Sequence, residues 1–189
     1  MNESATAAAA PVLTDGRIRL RGHRSDDFED FYALHSDPRV MRYWSFPAWT
    51  ERTQALPRFQ SALEGGDAAV RLCWAIAAPD DDRLIGGVTL FAIDPAQRRA
   101  EIGYALAAAQ WGKGYAGAAV SLVLGHAFGA LGLRRLEADI DPRNEASCAL
   151  VERLGFRREG LLRERWHVAG EACDSALYGL LAREALSSG

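Results

Sequence analysis

The sequence predicts a mixed α/β fold in a single domain. Its 189 residues suffice for one domain with a hydrophobic core and are too few for two ordinary domains. A composition of 49% hydrophobic and 25% charged residues is typical of a globular chain. Segments with strand-like alternation of apolar and polar residues are interleaved with segments of helical spacing. We expect residues 1–11 to be a disordered tail and residues 12–189 to form the domain.

The first half of the chain predicts one strand, three helical segments and then three strands. Ser25 is a typical helix N-cap, and the acidic residues after it favour the positive end of the helix dipole. Pro57 falls inside the third helical segment, so we expect a kink or a break there. The predicted elements are a strand at 17–21, a helix from Ser25, a short turn or helix at 37–41, a helix at about 50–64, and strands at 72–76, 84–91 and 100–106.

The second half predicts a helix, a strand, a second helix and two final strands. Apolar residues follow helical spacing from Gly114 to Gly132, and glycine commonly ends a helix. Asn144 and Gly155 delimit the second helix in the same way. The remaining strands are expected at 136–140, about 156–168 and 175–181. Elements in this order form a mixed sheet flanked by helices.

Charge and composition argue against several kinds of partner. The formal net charge is −3 and no basic patch is evident, so we expect no nucleic-acid partner. Cys73, Cys148 and Cys173 are odd in number and widely spaced, and the histidines lack metal-ligand spacing, so we expect no metal. The N-terminal segment lacks the basic residues of a signal peptide. A cytoplasmic protein without a membrane partner is expected.

The turn before the first long helix of the second half has the features of an anion site. Gly112 and Gly114 allow the backbone to approach a phosphate closely, and Lys113 adds positive charge. The N-H groups at the start of the following helix point toward such a ligand. A turn of this kind can also simply reverse the chain.

A second strand-turn-helix unit, with Asn144 and Ser147 in its turn, makes the pattern more specific. Together with residues 111–116 and 152–156 it resembles the GNAT superfamily of acetyltransferases. Within the superfamily the chain resembles the RimJ/RimL branch, whose members acetylate protein N-termini or small amines. Further similar segments are 19–21, 37–41, 100–104 and 170–178, so the resemblance spans about residues 12–183.

The resemblance implies a mostly antiparallel twisted sheet whose central parallel strands splay apart. It implies an N-acetyltransferase that moves an acetyl group from acetyl-CoA, as co-substrate, to a primary amine. A non-catalytic sensor of acyl-CoA with the same fold is the alternative. The acceptor is expected to be a small-molecule or peptide amine, and a homodimer is compatible with the resemblance.

The resemblance also implies which residues hold acetyl-CoA. Backbone groups of Leu106 and Ala108 are expected to pair with pantetheine, and Asn144 to bond it. The alternative role of Asn144 is that of a helix N-cap alone. The main-chain N-H groups expected to hold the pyrophosphate are those of Trp111, Gly112, Lys113, Gly114, Tyr115 and Ala116. Trp111 departs from the glutamine or arginine usual in the family.

Attack of an amine on the acetyl carbonyl calls for a base and an acid. Many family members carry the acid as a tyrosine where this chain has Val151, which leaves Ser147 as the candidate. The alternative is that the Ser147 hydroxyl bonds back to helix carbonyls. Glu101 is the candidate base through water, or else an ion partner of Arg98 or Arg99. Tyr43, Trp44 and Trp166 fall in segments that wall the acceptor pocket of similar proteins, although aromatic residues there can equally belong to the core.

Overall fold

The computed structural model describes residues 10–65 and 71–185. Within these ranges the strands are β1 Leu13–Thr14, β2 Arg19–Arg21, β3 Arg71–Ala77, β4 Leu84–Asp94, β5 Arg99–Leu106, β6 Arg135–Ile140, β7 Arg157–Val168 and β8 Glu171–Leu181. The α-helices are α1 Phe28–Ser36, α2 Pro38–Met41, α3 Leu56–Leu63, α4 Tyr115–Gly129, α5 Glu145–Arg153 and α6 Ala182–Ala185. Short 3-10 turns lie at Ser25–Asp27, Arg52–Gln54 and Ala108–Gln110.

One sheet contains all eight of these strands, in the order β1-β2-β3-β4-β5-β6-β8-β7. Neighbouring strands are antiparallel except β5 and β6, which are parallel and are connected through α4. The register of β5 and β6 contains only Arg99 opposite Arg135, Ala100 opposite Leu136 and Glu101 opposite Glu137. The predicted mixed, mostly antiparallel sheet with splayed central strands is therefore confirmed.

Helices cover the sheet on both faces. Because successive side chains of a strand point to opposite faces, a central strand contributes to a core on each side. The larger hydrophobic core contains α4 and α5 residues packed on Ala100, Ile102 and Leu106 of β5. The smaller core contains α1 and α3 residues packed on Ala105 of the same strand. Strand β5 therefore has a packed core on each side, and this packing fixes the position of the strand in the sheet.

The structure corrects the predicted helix at 50–64. A 3-10 turn at Arg52–Gln54 comes first, and α3 begins only at Leu56, with Pro57 in its first turn. Proline is tolerated at this place because the N-H it lacks would have no partner within the helix. The helical segment is thus interrupted next to Pro57, as the predicted break requires, and α3 starts there instead of continuing from residue 50. The short elements β1 and α6 were not predicted.

The described structure begins at Ala10, within the segment predicted to be a tail. Residues 1–9 of the predicted tail lie outside the described residues. Ala10 is buried, and the Pro11 carbonyl accepts a hydrogen bond of 2.7 Å from the Trp74 indole N-H. Since Trp74 is itself fully buried, this contact draws the two residues before Val12 into the packed domain.

A buried ion pair fastens β2 to the segment that leads into α1. The Arg21 guanidinium donates to both Asp27 carboxylate oxygens at 2.7 and 2.8 Å. The side chains of Arg21 and Asp27 are only 4% and 5% exposed. Burial pushes the pKa of Asp27 upward, but hydrogen bonds from Arg21 and the Arg24 N-H outweigh it and hold that pKa below its usual value. The pair thereby anchors α1 against the sheet.

We predict that Asp27→Asn lowers the free energy of unfolding by about 3 kcal/mol, because it leaves the Arg21 charge buried without its bidentate partner. Urea denaturation at neutral pH measures the change. A lowered folded-state pKa stabilises the fold above the unfolded value near ~4, and this contribution disappears as pH falls through the folded-state pKa. The difference between wild type and variant should therefore shrink in acid. Asp26→Asn, at an exposed neighbour, is the control; equal losses in both variants would contradict the assignment.

Candidate active site

The sheet opens between β5 and β6. Beyond Glu101 and Glu137 these strands no longer pair with each other. Strand β5 stays paired with β4 as far as Leu106, and β6 stays paired with β8 as far as Ile140. The strand edges that face each other across the gap thus have no strand partner. Unpaired backbone groups of this kind favour an extended ligand that bonds to them.

A cavity of about 400 Å³ lies at this gap. Its lining includes the predicted catalytic residues Glu101 and Ser147 together with Asn144, and also the predicted acceptor-site residues Tyr43, Trp44 and Trp166. The segment after α2, strand β5, the turn before α5 and strand β7 each contribute. The structure thus brings these predicted residues together, while the loop at 106–116 lies outside the cavity lining.

Ser147 is held by a tyrosine that the sequence interpretation did not assign to the site. The Tyr104 hydroxyl on β5 and the Ser147 Oγ on α5 are 2.6 Å apart, and either can be the donor. The alternative bond from the Ser147 hydroxyl to a helix carbonyl is not found in the described part of the chain. Burial raises the pKa of Tyr104 to about 12, so its phenol keeps its proton at neutral pH.

The phenol of Tyr104 stands in a site where the usual family tyrosine is missing. Val151, at the position of that tyrosine, is fully buried in the core. Tyr104 projects from β5 to the same face as Ala100 and Ile102, toward the helix that carries Ser147. Strand alternation could have placed it there, but only the structure shows that its hydroxyl meets the serine.

Glu101 lines the cavity with a carboxylate that has no ion pair among the described residues. Its predicted alternative partner Arg99 instead contacts Glu137 at 3.2 Å. Burial, followed by the negative charges of Glu137 and Asp139, raises the pKa of Glu101 above its usual value. A carboxylate in such surroundings is a stronger base than one in water.

Asn144 is the N-cap of α5. Its Oδ1 accepts a hydrogen bond of 3.2 Å from the Ser147 N-H. The capping role is therefore confirmed, and it uses only the carbonyl end of the side chain. The amide NH₂ has no hydrogen-bond acceptor within residues 10–65 and 71–185, so it stays available to a ligand in the cavity.

The loop before α4 has the backbone geometry of an anion site. Gly112 and Gly114 have φ values of +76° and +78°, a conformation that glycine adopts without strain. For residues 112–117 no backbone acceptor of their N-H groups occurs in the described ranges. The Lys113 ammonium lies 2.8 Å from the Gln110 side-chain oxygen, and the Arg17 guanidinium donates to the Lys113 carbonyl at 3.2 Å. Two cations thus stand beside the open N-H groups.

Two of the backbone groups that were expected to contact acetyl-CoA already have a partner within the protein. The Trp111 N-H donates to the Ala108 carbonyl at 3.3 Å, so the open N-H groups begin at Gly112. The Trp111 indole N-H donates to the Leu106 carbonyl at 2.8 Å, so that carbonyl already has a donor. The tryptophan that replaces the usual glutamine or arginine thus ties the loop to the end of β5. The Ala108 N-H has no backbone acceptor in the described ranges and stays open to pantetheine.

Acidic and aromatic side chains make up the acceptor side of the cavity. Asp139 and Asp174 line it together with Arg165, and none of them was predicted. The Trp166 indole N-H donates to Asp139 at 3.3 Å, and the Arg165 guanidinium lies 5.5 Å from the Trp166 ring centre. Carboxylates next to exposed aromatic rings suit a positively charged amine. Asp139, Trp166 and Asp174 come from three different strands, so no sequence motif links them.

Known proteins identify the family. The sequence matches the acetyltransferase (GNAT) domain over residues 17–157. The chain belongs to the GNAT acetyltransferases. This acetyltransferase is 36% identical over 177 residues to p20, an uncharacterized N-acetyltransferase of Bacillus licheniformis, covering 92% of this chain and 97% of that protein. It is 26% identical over 154 residues to the spermidine N(1)-acetyltransferase of Escherichia coli, covering 82% of this chain and 80% of that protein.

A solved structure agrees with the fold. The crystal structure of a GNAT-family acetyltransferase from Bacillus anthracis superposes with a TM-score of 0.81 at 23% identity, covering 92% of this chain and 100% of that one. The family match and the 36% identical N-acetyltransferase identify the chain as an acetyl-CoA-dependent N-acyltransferase. Across the described ranges no helix is long and apolar enough to cross a membrane, and no cluster of metal-binding side chains is found.

We predict that Gly114→Ala weakens acetyl-CoA binding about tenfold, because a side chain at positive φ costs on the order of 1–3 kcal/mol and distorts the loop. Its Cβ would also lie 3.1 Å from the Arg17 guanidinium. Calorimetric titration with acetyl-CoA measures the change. Gly117→Ala is the matched control, since a Cβ there meets no atom within 4 Å and the N-H is kept. Unchanged affinity in the Gly114 variant would exclude this loop as the phosphate site.

Proposed function

We propose that this enzyme acetylates a primary amine by direct attack on acetyl-CoA, with Glu101 as base and Ser147 as the group that protonates the departing sulfur. The observation that carries this proposal is the cavity at the β5–β6 gap, which has Glu101 and Ser147 in one lining. The chain's likeness to the RimJ/RimL branch, whose members acetylate protein N-termini or small amines, supports an amine as the attacking group. Its motifs at 111–116 and 144–147 support placement in that branch.

Acetyl-CoA fits the groups that the structure leaves open. The N-H groups of residues 112–117, with Lys113 and Arg17 beside them, would hold the pyrophosphate. The Ala108 N-H and the Asn144 amide would bond pantetheine, which extends along the unpaired edges of β5 and β6. The co-substrate supplies the reactive thioester, and the chain supplies its orientation.

The protons can be followed through the reaction. An ammonium acceptor must lose one proton before its nitrogen can attack the carbonyl carbon, and Glu101 takes it, directly or through water. The nitrogen loses a second proton as the carbon-sulfur bond breaks, and this proton ends on the sulfur. The Ser147 hydroxyl, held at 2.6 Å by the protonated Tyr104, is placed to pass it on. Tyr104 thus acts as a positioning residue.

The acceptor end of the cavity favours an amine that is positively charged in solution. Glu101, Asp139 and Asp174 line it, and among the described residues of that lining only Arg165 opposes their charge. The Escherichia coli relative is named for spermidine, a polyamine, which supports a small-molecule amine for this chain as well. Release of free CoA thiol from acetyl-CoA in the presence of an amine panel tests the activity. Binding of acetyl-CoA without turnover of any amine would indicate an acyl-CoA sensor instead.

We predict that Ser147→Ala lowers kcat about 10²-fold and leaves the KM for acetyl-CoA nearly unchanged, because the hydroxyl acts as the thioester breaks. Tyr104→Phe should lower kcat less, since the serine stays but loses its orientation. Asn144→Ala should mainly raise the KM for acetyl-CoA. Steady-state kinetics with varied acetyl-CoA separates these effects. An unchanged kcat in the Ser147 variant would refute its role.

We predict that Glu101→Gln lowers kcat about 10²-fold and removes the acidic limb of the kcat-pH profile. In the wild type, kcat should fall as pH drops through the pKa of Glu101, which lies above the ordinary value near ~4.3 because of burial and neighbouring carboxylates. The pH dependence of kcat at saturating acceptor measures both effects. Glu145→Gln, at an exposed position in the first turn of α5, is the control and should keep the limb. Persistence of the limb in the Glu101 variant would assign it to another group.

A further inference from the structure

A second cavity, of about 260 Å³, lies on the face of the sheet covered by α1 and α3. Trp44, Gly103 and Tyr104 line it and also line the cavity at the β5–β6 gap. Because the two cavities share these wall residues, an acceptor with its amine near Glu101 could extend past Gly103 into the second cavity. Gly103 has no side chain there, and the Phe91 ring, which also lines both cavities, lies 3.3 Å from the place that a Cβ would take.

The second cavity is basic. Arg58 of α3 and Arg71 of β3 line it, and none of the carboxylates in residues 10–65 and 71–185 does. The ion pairs formed between these described residues include neither arginine. The Arg71 Nε is buried without a hydrogen-bond partner, and the Arg58 guanidinium lies 4.4 Å from the Phe46 ring centre. Burial and the nearby charge of Arg71 lower the pKa of Arg58, so both act against its charged form. Two guanidinium groups at one cavity, without an anionic partner in the part of the chain that the structure describes, are costly unless an anion joins them.

The other polar side chains of this cavity do not supply a negative charge for the two arginines. His23 and His35 line it, and burial lowers the pKa of each to about 4, so both are neutral at physiological pH. His35 Nδ1 lies 2.9 Å from the Phe31 carbonyl oxygen, and His23 Nδ1 is buried without a partner. Aromatic rings supply much of the remaining wall. The cavity thus combines an apolar body with guanidinium donors at one side.

We infer that the second cavity binds a carboxylate of the acceptor, so that the substrate is an amine joined to a carboxylate through an apolar or aromatic body. The inference rests on the proposed function, because it assigns the amine of the same molecule to the cavity with Glu101. The carboxylates of the first cavity attract the ammonium end, and Arg58 and Arg71 attract the carboxylate end in the bidentate manner that guanidinium groups favour. A polyamine would place a positive charge against two arginines.

Binding of a carboxylate probe tests the inference without any turnover. Benzoate, titrated by calorimetry into the full-length enzyme, should bind the wild type, and Arg58→Gln and Arg71→Gln should each weaken this binding at least about tenfold. Arg52→Gln is the matched control, because Arg52 is an exposed arginine just before α3 that pairs with Glu29. Thermal unfolding of each variant shows that it is folded. Equal benzoate binding by the wild type and both cavity variants, or none by the wild type, would overturn the inference.

A pair of acceptors that differ only in the carboxylate gives the second test. With 4-(aminomethyl)benzoate the wild-type kcat/KM should exceed that with 4-methylbenzylamine by about 10- to 100-fold. Arg58→Gln should bring this ratio of kcat/KM values close to one, because it lowers kcat/KM for 4-(aminomethyl)benzoate only. Arg52→Gln should leave the ratio unchanged. Comparing ratios between variants cancels differences in the intrinsic reactivity of the two amines. Preference for 4-methylbenzylamine or for spermidine would overturn the inference.

These experiments distinguish a failure of the carboxylate inference from a failure of the proposed function. If acetyl-CoA supports acetylation of amines but neither a carboxylate preference nor benzoate binding is seen, the inference is wrong and the proposed function stands. If benzoate binding depends on Arg58 and no amine is acetylated, the cavity assignment stands as an anion site and the proposed function is wrong.

Discussion

The short parallel contact between β5 and β6 is the constraint on which the site depends. It holds the two parts of the sheet together at Glu101 and Glu137 and then ends, so each strand continues with only one partner. Carboxylates stand opposite each other at the point of separation, and Asp139 follows on β6, an arrangement that disfavours closer pairing. Arg99 and Arg135 neutralise Glu137, which leaves Glu101 as the carboxylate facing the gap. One local interruption thus creates both the ligand slot and its base.

Much of the fold could be predicted because its central elements have strong local patterns. The alternation of β5 and β6 and the apolar stripe of α4 each suffice to identify an element and its inward face. The failures occur where tertiary contacts decide the outcome. Proline is unfavourable in a helix interior and tolerated in the first turn, so Pro57 predicts an interruption but not the residue at which α3 begins. In the structure α3 begins at Leu56, and Phe59 packs against Phe31 of α1. The short β1 lacks a pattern long enough to detect and exists through its pairing with β2.

The candidate site was predictable to the extent that its residues belong to motifs. Asn144 and Ser147 lie in one turn, and Glu101 lies in a recognisable strand, so the sequence suffices to nominate them. Tyr104 was missed because its function depends on reaching a serine 43 residues away in the chain. Arg58 and Arg71 were missed for the same reason, since they lie on different elements and meet only at a cavity. Charges that come together through folding have no signature in composition.

The charged side chains that line the two cavities affect how easily the acceptor amine loses its proton. Carboxylates near an ammonium group stabilise its charged form, so a cavity that attracts the acceptor also raises the amine's pKa and hinders attack. The same negative field, from Glu137 and Asp139, raises the pKa of Glu101 and strengthens it as a base. The negative charges thus raise both the pKa of the acceptor amine and the pKa of Glu101. The difference between these two pKa values, which governs proton transfer from the ammonium to Glu101, is therefore partly preserved. A carboxylate held by Arg58 and Arg71 would let the substrate gain binding energy away from the amine, where it does not oppose deprotonation.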